Sequence, residues 1–303
     1  MIYVILTKAN EEKGDGQMRI SDLLKRDGIT FSLEVFPPKT SEKYNETAVK
    51  AWEIARLHPD FMSVTYGAGG GTGEFTTGIA AGIQRETGVP ALAHLTCVSS
   101  SREHVLKMLD LYREYGIENI LALRGDVRED IPRKNDFSHA SDMASYLREK
   151  YDFCILGACY PERHPESADM VSEIRHLKTK VCSGTEVLLS QLFFDNRLFY
   201  DFKEKCAIAD ISVPVIPGIM PVVKAAQIKR MIAMCNTSFP ERFQRIVDLY
   251  ADREDALFDA GMAYALSQII DLLASGTDGI HLYTMNNPRI ARRICEGIRN
   301  ILP

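Results

Sequence analysis

Along the chain, short apolar or β-branched runs alternate with longer stretches in which apolar residues recur every three or four positions. The short runs fall at 30–36, 61–65, 91–96, 119–123, 153–159, 187–192, 213–216 and 279–283, each bounded by glycine, proline or polar residues, the punctuation expected of strands. Between them, Ala51, Ile54, Ala55 and Leu57, or Val105, Met108, Leu109 and Tyr112, follow the spacing of one helix face. Strands alternating with helices imply a parallel α/β sheet, and eight of them predict a single (β/α)8 TIM barrel. Strand starts lie about 26 to 34 residues apart until the last interval, Val213 to Gly279, which is twice as long. That interval predicts an extended insertion before the last strand, holding 239–250 and a helix over 256–274. Residues 1–27, with a polar stretch at 8–17, read as an N-terminal extension to one catalytic domain.

A doubly wound sheet is the alternative, and its phosphate loop would fall in Gly67-Ala68-Gly69-Gly70-Gly71-Thr72-Gly73. The register fails: G-x-G-x-x-G read from Gly67 places Thr72, and read from Gly69 places Glu74, where the third glycine belongs. No Gly-Lys pair occurs for a Walker loop. With 46% hydrophobic and 25% charged residues, the chain can bury a sizeable core. A net charge of -5 offers polyanions no general attraction, so a nucleic-acid partner is not expected. No unbroken apolar run reaches the roughly 18 residues of a membrane span, and the N-terminus lacks a signal-peptide pattern. A cytoplasmic protein without a membrane partner is the expectation. The seven cysteines, an odd number without a C-x-x-C pair, read as buried thiols, and ligands are too few and scattered for a metal site.

Catalytic residues of such barrels stand at the carboxyl ends of the strands. There the sequence places Glu34, Thr65 and Tyr66, His94 and Thr96, Arg124-Gly125-Asp126, Tyr160 and His164, and Gln191. Glu34, flanked by Leu33, Val35 and Phe36, is expected to be costly to ionise, which suits a general acid. It reads equally as a buried glutamate paired with Arg124 or a lysine. Asp126 reads also as a helix-capping loop carboxylate, and His94 as a satisfied core histidine.

Seven blocks in order carry a resemblance: Phe31-Ser32-Leu33-Glu34-Val35-Phe36-Pro37-Pro38, Ser63-Val64-Thr65-Tyr66-Gly67-Ala68, His94-Leu95-Thr96-Cys97, Leu121-Ala122-Leu123-Arg124-Gly125-Asp126, Tyr160-Pro161-Glu162-Arg163-His164-Pro165-Glu166, Gln191-Leu192-Phe193-Phe194-Asp195 and Pro217-Gly218-Ile219-Met220-Pro221. Together they resemble the signature blocks of methylenetetrahydrofolate reductases. The resemblance implies an FAD-containing barrel that reduces 5,10-methylenetetrahydrofolate to 5-methyltetrahydrofolate with NAD(P)H, by ping-pong hydride transfer, with self-association into a homo-oligomer plausible for the family. It implies Glu34 as the general acid and Asp126 as a carboxylate near flavin and pterin. Tyr66, Ala68, His94, Arg124, Gly125, His139, Ala140, Tyr160, His164 and Lys180 are implied as FAD contacts, Gln191 and Gln227 as pterin-site amides, and Thr65 as a residue on the nicotinamide side. The chain departs from the bacterial pattern at His139, where a tyrosine contacts FAD, at Met231, where an aromatic residue stands, and at Asn287, where an arginine stands, with Arg289 two residues on. Two rival readings are a flavin-free barrel lyase or aldolase using Glu34 and His94, and a non-catalytic FAD-binding partner subunit.

Overall fold

The computed structural model describes residues 18–302 except 27, 68–72, 128, 130–132, 227, 229–230 and 232–234; the expected contacts Ala68 and Gln227 therefore lie outside the described residues. Parallel strands β1 (Thr30–Val35), β2 (Phe61–Val64), β3 (Ala91–Thr96), β4 (Asn119–Leu123), β5 (Cys154–Cys159), β6 (Val187–Ser190), β7 (Val215–Ile216), β8 (Gly218–Ile219) and β9 (Gly279–Tyr283) form one sheet in the order β7-β6-β5-β4-β3-β2-β1-β9-β8. Helices lie between successive staves, as alternation of the two periodicities requires.

The stave expected at 213–216 is instead split in two. Ile216 pairs with Leu189 of β6, whereas Gly218 and Ile219 pair with His281 and Leu282 of β9. Pro217 lies at the switch: it has no N–H for a ladder, while its carbonyl accepts from His281 N at 2.9 Å. β7 and β8 are thus two halves of one stave, and their change of partner closes eight staves into a barrel. Pro214 likewise gives only its carbonyl, to Leu188 N at 2.9 Å, which is why regular pairing starts two residues later than Val213.

In β1, Phe31, Leu33 and Val35 join the helices in the outer core, with Ile54, Ile79 and Ile83 among their cluster. The alternate residues Ser32 and Glu34 are buried on the other face, as the period of two demands. Inside, an apolar floor of Phe61, Leu92, Leu121, Leu156, Val187, Leu189 and Ile216 is packed with Ile20 and Leu23 of the short helix Ile20–Leu23. Ile20 N donates to Asn119 Oδ1 at 2.8 Å, and Arg19 reaches Asp152 and Glu186 at 2.6 and 2.9 Å, fixing that helix across the amino ends of the strands. Phe61 and Val187 of this floor are the first residues of β2 and β6, whereas the buried Glu34 and His94 stand further along β1 and β3, toward the opposite rim.

The insertion holds the helices Glu241–Tyr250 and Glu254–Ala274. The second is apolar and long enough to cross a membrane by length and composition, with half of its most apolar stretch buried; Leu257, Met262, Ile269 and Leu272 lie in the core. Gly261 permits its close approach, because a Cβ there would lie 1.8 Å from Val222 O. Phe243 and Tyr264 stack at 3.8 Å and join the two helices.

Candidate active site at the carboxyl rim

Glu34 is 5% exposed and opposes Ser63 on β2 and Tyr283 on β9. Its Oε2 accepts from Ser63 Oγ at 3.0 Å and lies 3.4 Å from Nε2 of both His281 and His94. His281, fully buried, places its Nδ1 2.7 Å from Ser32 Oγ. Ser32, His281 and Glu34 thus form a continuous hydrogen-bonded chain inside the barrel, and Ser63 braces its acidic end.

The environment expected for Glu34 from its chain neighbours is corrected by this arrangement. Leu33 and Val35 face the helices, so the carboxyl meets side chains of β2, β3 and β9 rather than hydrocarbon. Burial pushes its pKa up, but the His281 contact, the His94 ring and the Ser63 hydroxyl outweigh burial and hold it below the usual carboxylate range. Among the described residues, the alternative pairing of Glu34 with Arg124 or a lysine is not formed. His94 is pushed down to about 4, chiefly by burial and despite Glu34, and its Nε2 is buried without a hydrogen-bond partner. It is therefore a neutral imidazole beside the carboxyl, not the satisfied core histidine.

A second group lines the rim over β4 to β6. Gly125 has φ +83, a left-handed conformation that favours glycine, and a Cβ would sit 3.0 Å from Thr96 Cβ. The turn lets Val98 N bond Arg124 O at 2.8 Å, fastening the β3 and β4 loops together. Arg124 is gripped by both oxygens of Glu166, at 2.5 and 2.7 Å, which raises its pKa further. Tyr160 and His164 meet edge-on at 4.8 Å, and the His164 pKa is lowered by burial and then by Arg124, with Lys180 also contributing. His164 N donates to Glu173 Oε2 at 3.1 Å, and Ser167 Oγ donates to the same oxygen at 2.6 Å, so one buried carboxylate holds the whole β5 loop. Lys180 is half-buried, its ammonium donating to Ala158 O, and loss of solvent around it lowers its pKa.

The remaining expected residues are spread around these two groups. Asp126 is exposed and close enough to Arg124, Tyr160 and Cys235 to act on their charges. It does not cap the next helix, whose start is held by Asp142 accepting from Ser138 N and His139 N at 2.9 Å each. His139 is the N-cap of that helix with an exposed ring, and Ala140 begins it. Tyr66 is buried, its hydroxyl 2.9 Å from His104 Nε2, and its pKa is pushed up to about 12 by burial. Thr65 N donates to Val35 O at 3.0 Å, and Gln191 folds back so that its Oε1 accepts from Leu192 N at 2.9 Å.

The profile of the methylenetetrahydrofolate reductase family matches residues 19–299, the whole barrel just described. The chain belongs to the methylenetetrahydrofolate reductase family. It is 34% identical over 273 residues to 5,10-methylenetetrahydrofolate reductase of Escherichia coli (strain K12), covering 89% of this chain and 92% of that one. The enzyme of the same name from Pectobacterium carotovorum subsp. carotovorum is 33% identical over the same length, covering 89% and 91%. Methylenetetrahydrofolate reductase 1 of Schizosaccharomyces pombe is 35% identical over 293 residues, covering 92% of this chain and 48% of the longer yeast protein. Among solved structures, an uncharacterized Clostridium thermocellum protein that binds two copies of 5-methyl-5,6,7,8-tetrahydrofolic acid superimposes with a TM-score of 0.64 at 13% identity, over 94% of this chain and 100% of that one. At that identity the likeness is one of fold.

As a methylenetetrahydrofolate reductase family member, the chain reduces methylenetetrahydrofolate, and its rim gathers Glu34 and His94 in one cluster and Arg124, Tyr160, His164 and Lys180 in another. Reading only the carboxyl ends of strands missed His281, Ser32 and Ser63, which project inward from mid-strand. A signal was present: His281 interrupts the apolar run of Gly279–Tyr283, where a polar residue between Ile280 and Leu282 has to face the interior. Glu166 and Glu173 carried no comparable signal, since their partners lie 42 and 9 residues away in the chain.

Proposed function

We propose that the protein reduces 5,10-methylenetetrahydrofolate to 5-methyltetrahydrofolate with NAD(P)H, using FAD in a ping-pong cycle in which the two substrates take turns at one rim. The observation that carries this reading is Glu34, a buried carboxyl held by Ser63 and two imidazoles inside the rim of a barrel of this family. FAD, when bound, supplies the redox group between the nicotinamide and the folate. The donors fit such a dinucleotide. Arg124 and Lys180 both lie close enough to His164 to lower its pKa, a gathering of cationic groups that suits a pyrophosphate, and the partnerless Nε2 of buried His94 leaves one polar atom for a ligand. With Tyr66, Ala68, Gly125, His139, Ala140 and Tyr160 they would hold the flavin.

Glu34 is the proton donor to the folate as its methylene bridge opens. Its carboxyl is ionised in the free protein, so it takes up a proton from solvent as a bound pterin excludes water from the rim, which favours the neutral acid, and gives that proton to the folate from Oε2. Gln191 and Gln227 orient the pterin, and Gln191 gives up its bond to Leu192 to do so. Asp126 places a negative charge beside the flavin site, and Thr65 lies on the nicotinamide side. The folate bound by the Clostridium thermocellum barrel is in keeping with a folate here. Seven free thiols favour a reducing compartment, the cytoplasm.

The test separates the half-reactions. Glu34→Gln is expected to retain flavin and to be bleached by NAD(P)H, while folate-dependent reoxidation falls by about 10²- to 10⁴-fold, the range for a positioned general acid. Equal loss of both half-reactions would make Glu34 a structural residue.

A further inference from the structure

Glu34 is the second-last residue of β1, and the chain behind it runs into Pro37 and Pro38, which have no N–H to continue a ladder. The carboxyl end of this strand is secured by three residues that follow β9. Thr284, fully buried, donates from Oγ1 to Glu34 O at 2.6 Å, and its N–H reaches the same oxygen at 3.3 Å. Asn286 then turns its side-chain amide onto Phe36: Phe36 N donates to Asn286 Oδ1 at 2.7 Å, and Asn286 Nδ2 donates to Phe36 O at 2.9 Å. An asparagine amide presents one acceptor and N–H donors, as a peptide does, so this pair of bonds replaces the ladder rung the backbone cannot make. Met285 and Asn286 adopt φ +55 and +54 to allow it, a left-handed turn that asparagine tolerates better than most residues. Asn287 caps the helix Pro288–Ile298 by accepting from Arg289 N at 3.0 Å, so the residue carrying the clamp is itself anchored.

We infer that Asn286 is a positioning residue for Glu34: its amide clamp on Phe36 fixes the end of β1 and with it the point in the rim at which the carboxyl meets the folate. This rests on Glu34 being the proton donor. A carboxyl misplaced by about 1 Å loses on the order of 10²-fold in rate, and the loss falls only on the half-reaction that needs its proton.

Two variants test it. Asn286→Gly keeps the left-handed backbone free of strain and removes both bonds, whereas Asn286→Asp keeps the acceptor for Phe36 N–H and removes the donor. With flavin content unchanged, Asn286→Gly is expected to be reduced by NAD(P)H at the wild-type rate and reoxidised by methylenetetrahydrofolate at least roughly 10-fold more slowly, with Asn286→Asp between the two. Hydrogen exchange at the Phe36 amide, read in the same proteins, is expected to speed up in Asn286→Gly. Wild-type reoxidation, or an equal slowing of both half-reactions, overturns the inference, and unchanged Phe36 exchange overturns the clamp. Glu34→Gln measured alongside keeps the two readings apart: if it reoxidises normally, the proton-donor assignment fails on its own, while the Phe36 exchange still decides whether Asn286 secures the strand.

Discussion

His94 carries a cost that pH exposes. Burial holds its pKa at about 4 against an ordinary 6.5, so between those values the unfolded chain binds a proton that the native state refuses. Stability therefore rises with pH across that window and falls on acidification. The Glu34 carboxyl, held below its ordinary range, loses its contribution at still lower pH, in the same direction. Denaturant midpoints followed from pH 7 to 4 are expected to record a loss on the order of 3 kcal/mol from His94, and His94→Gln should flatten that slope. An unchanged slope in the variant would mean that another group bears the titration. At this scale the sequence was legible as to the position of Glu34 on its strand and misleading as to its surroundings. Its chain neighbours Leu33 and Val35 lie on the other face of the strand. The groups that set its charge, Ser63, His94 and His281, come from three other strands, and only register brings them together.

Among the elements, strands with a clear β-branched or apolar run emerge within a residue or two of where the pattern puts them, because both faces are buried and the run is mostly apolar. The stave at 213–216 behaves differently. Pro214 and Pro217 deny it N–H donors, so pairing is decided by which neighbouring strand offers a complementary edge, something a local pattern does not contain. The insertion was legible as length and helical period, but its docking depends on Gly261 lying against Val222. Gly261→Ala would force a Cβ to within 1.8 Å of the Val222 carbonyl, and neither backbone can yield without moving the helix Glu254–Ala274. A loss of about 3 kcal/mol or more is expected, at the upper end for overpacking, measured as a fall in unfolding midpoint. A variant as stable as the parent would show that this helix is free to shift.

Across the whole molecule, the barrel divides into an apolar floor, closed by Ile20 and Leu23, and a polar rim that carries Glu34, His94, Arg124, Asp126, Tyr160 and His164. That division accounts for how far the sequence alone could go: polar residues recurring at successive strand ends point to a site whatever their individual roles. It also accounts for what stayed hidden, since Arg124–Glu166 joins two loops and His164–Glu173 joins a loop to the helix Met170–Cys182, and no periodicity fixes the course of those loops. The proposed function requires this rim to bind FAD and to pass reducing equivalents from a nicotinamide to a folate. The direct measurement is anaerobic spectroscopy of the purified protein, with flavin released by denaturation, then NAD(P)H and methylenetetrahydrofolate added in turn. Near-stoichiometric FAD, bleaching by NAD(P)H and recovery of the oxidised spectrum on adding the folate are expected. A protein that releases no flavin, or whose reduced flavin is left unchanged by methylenetetrahydrofolate, would contradict it.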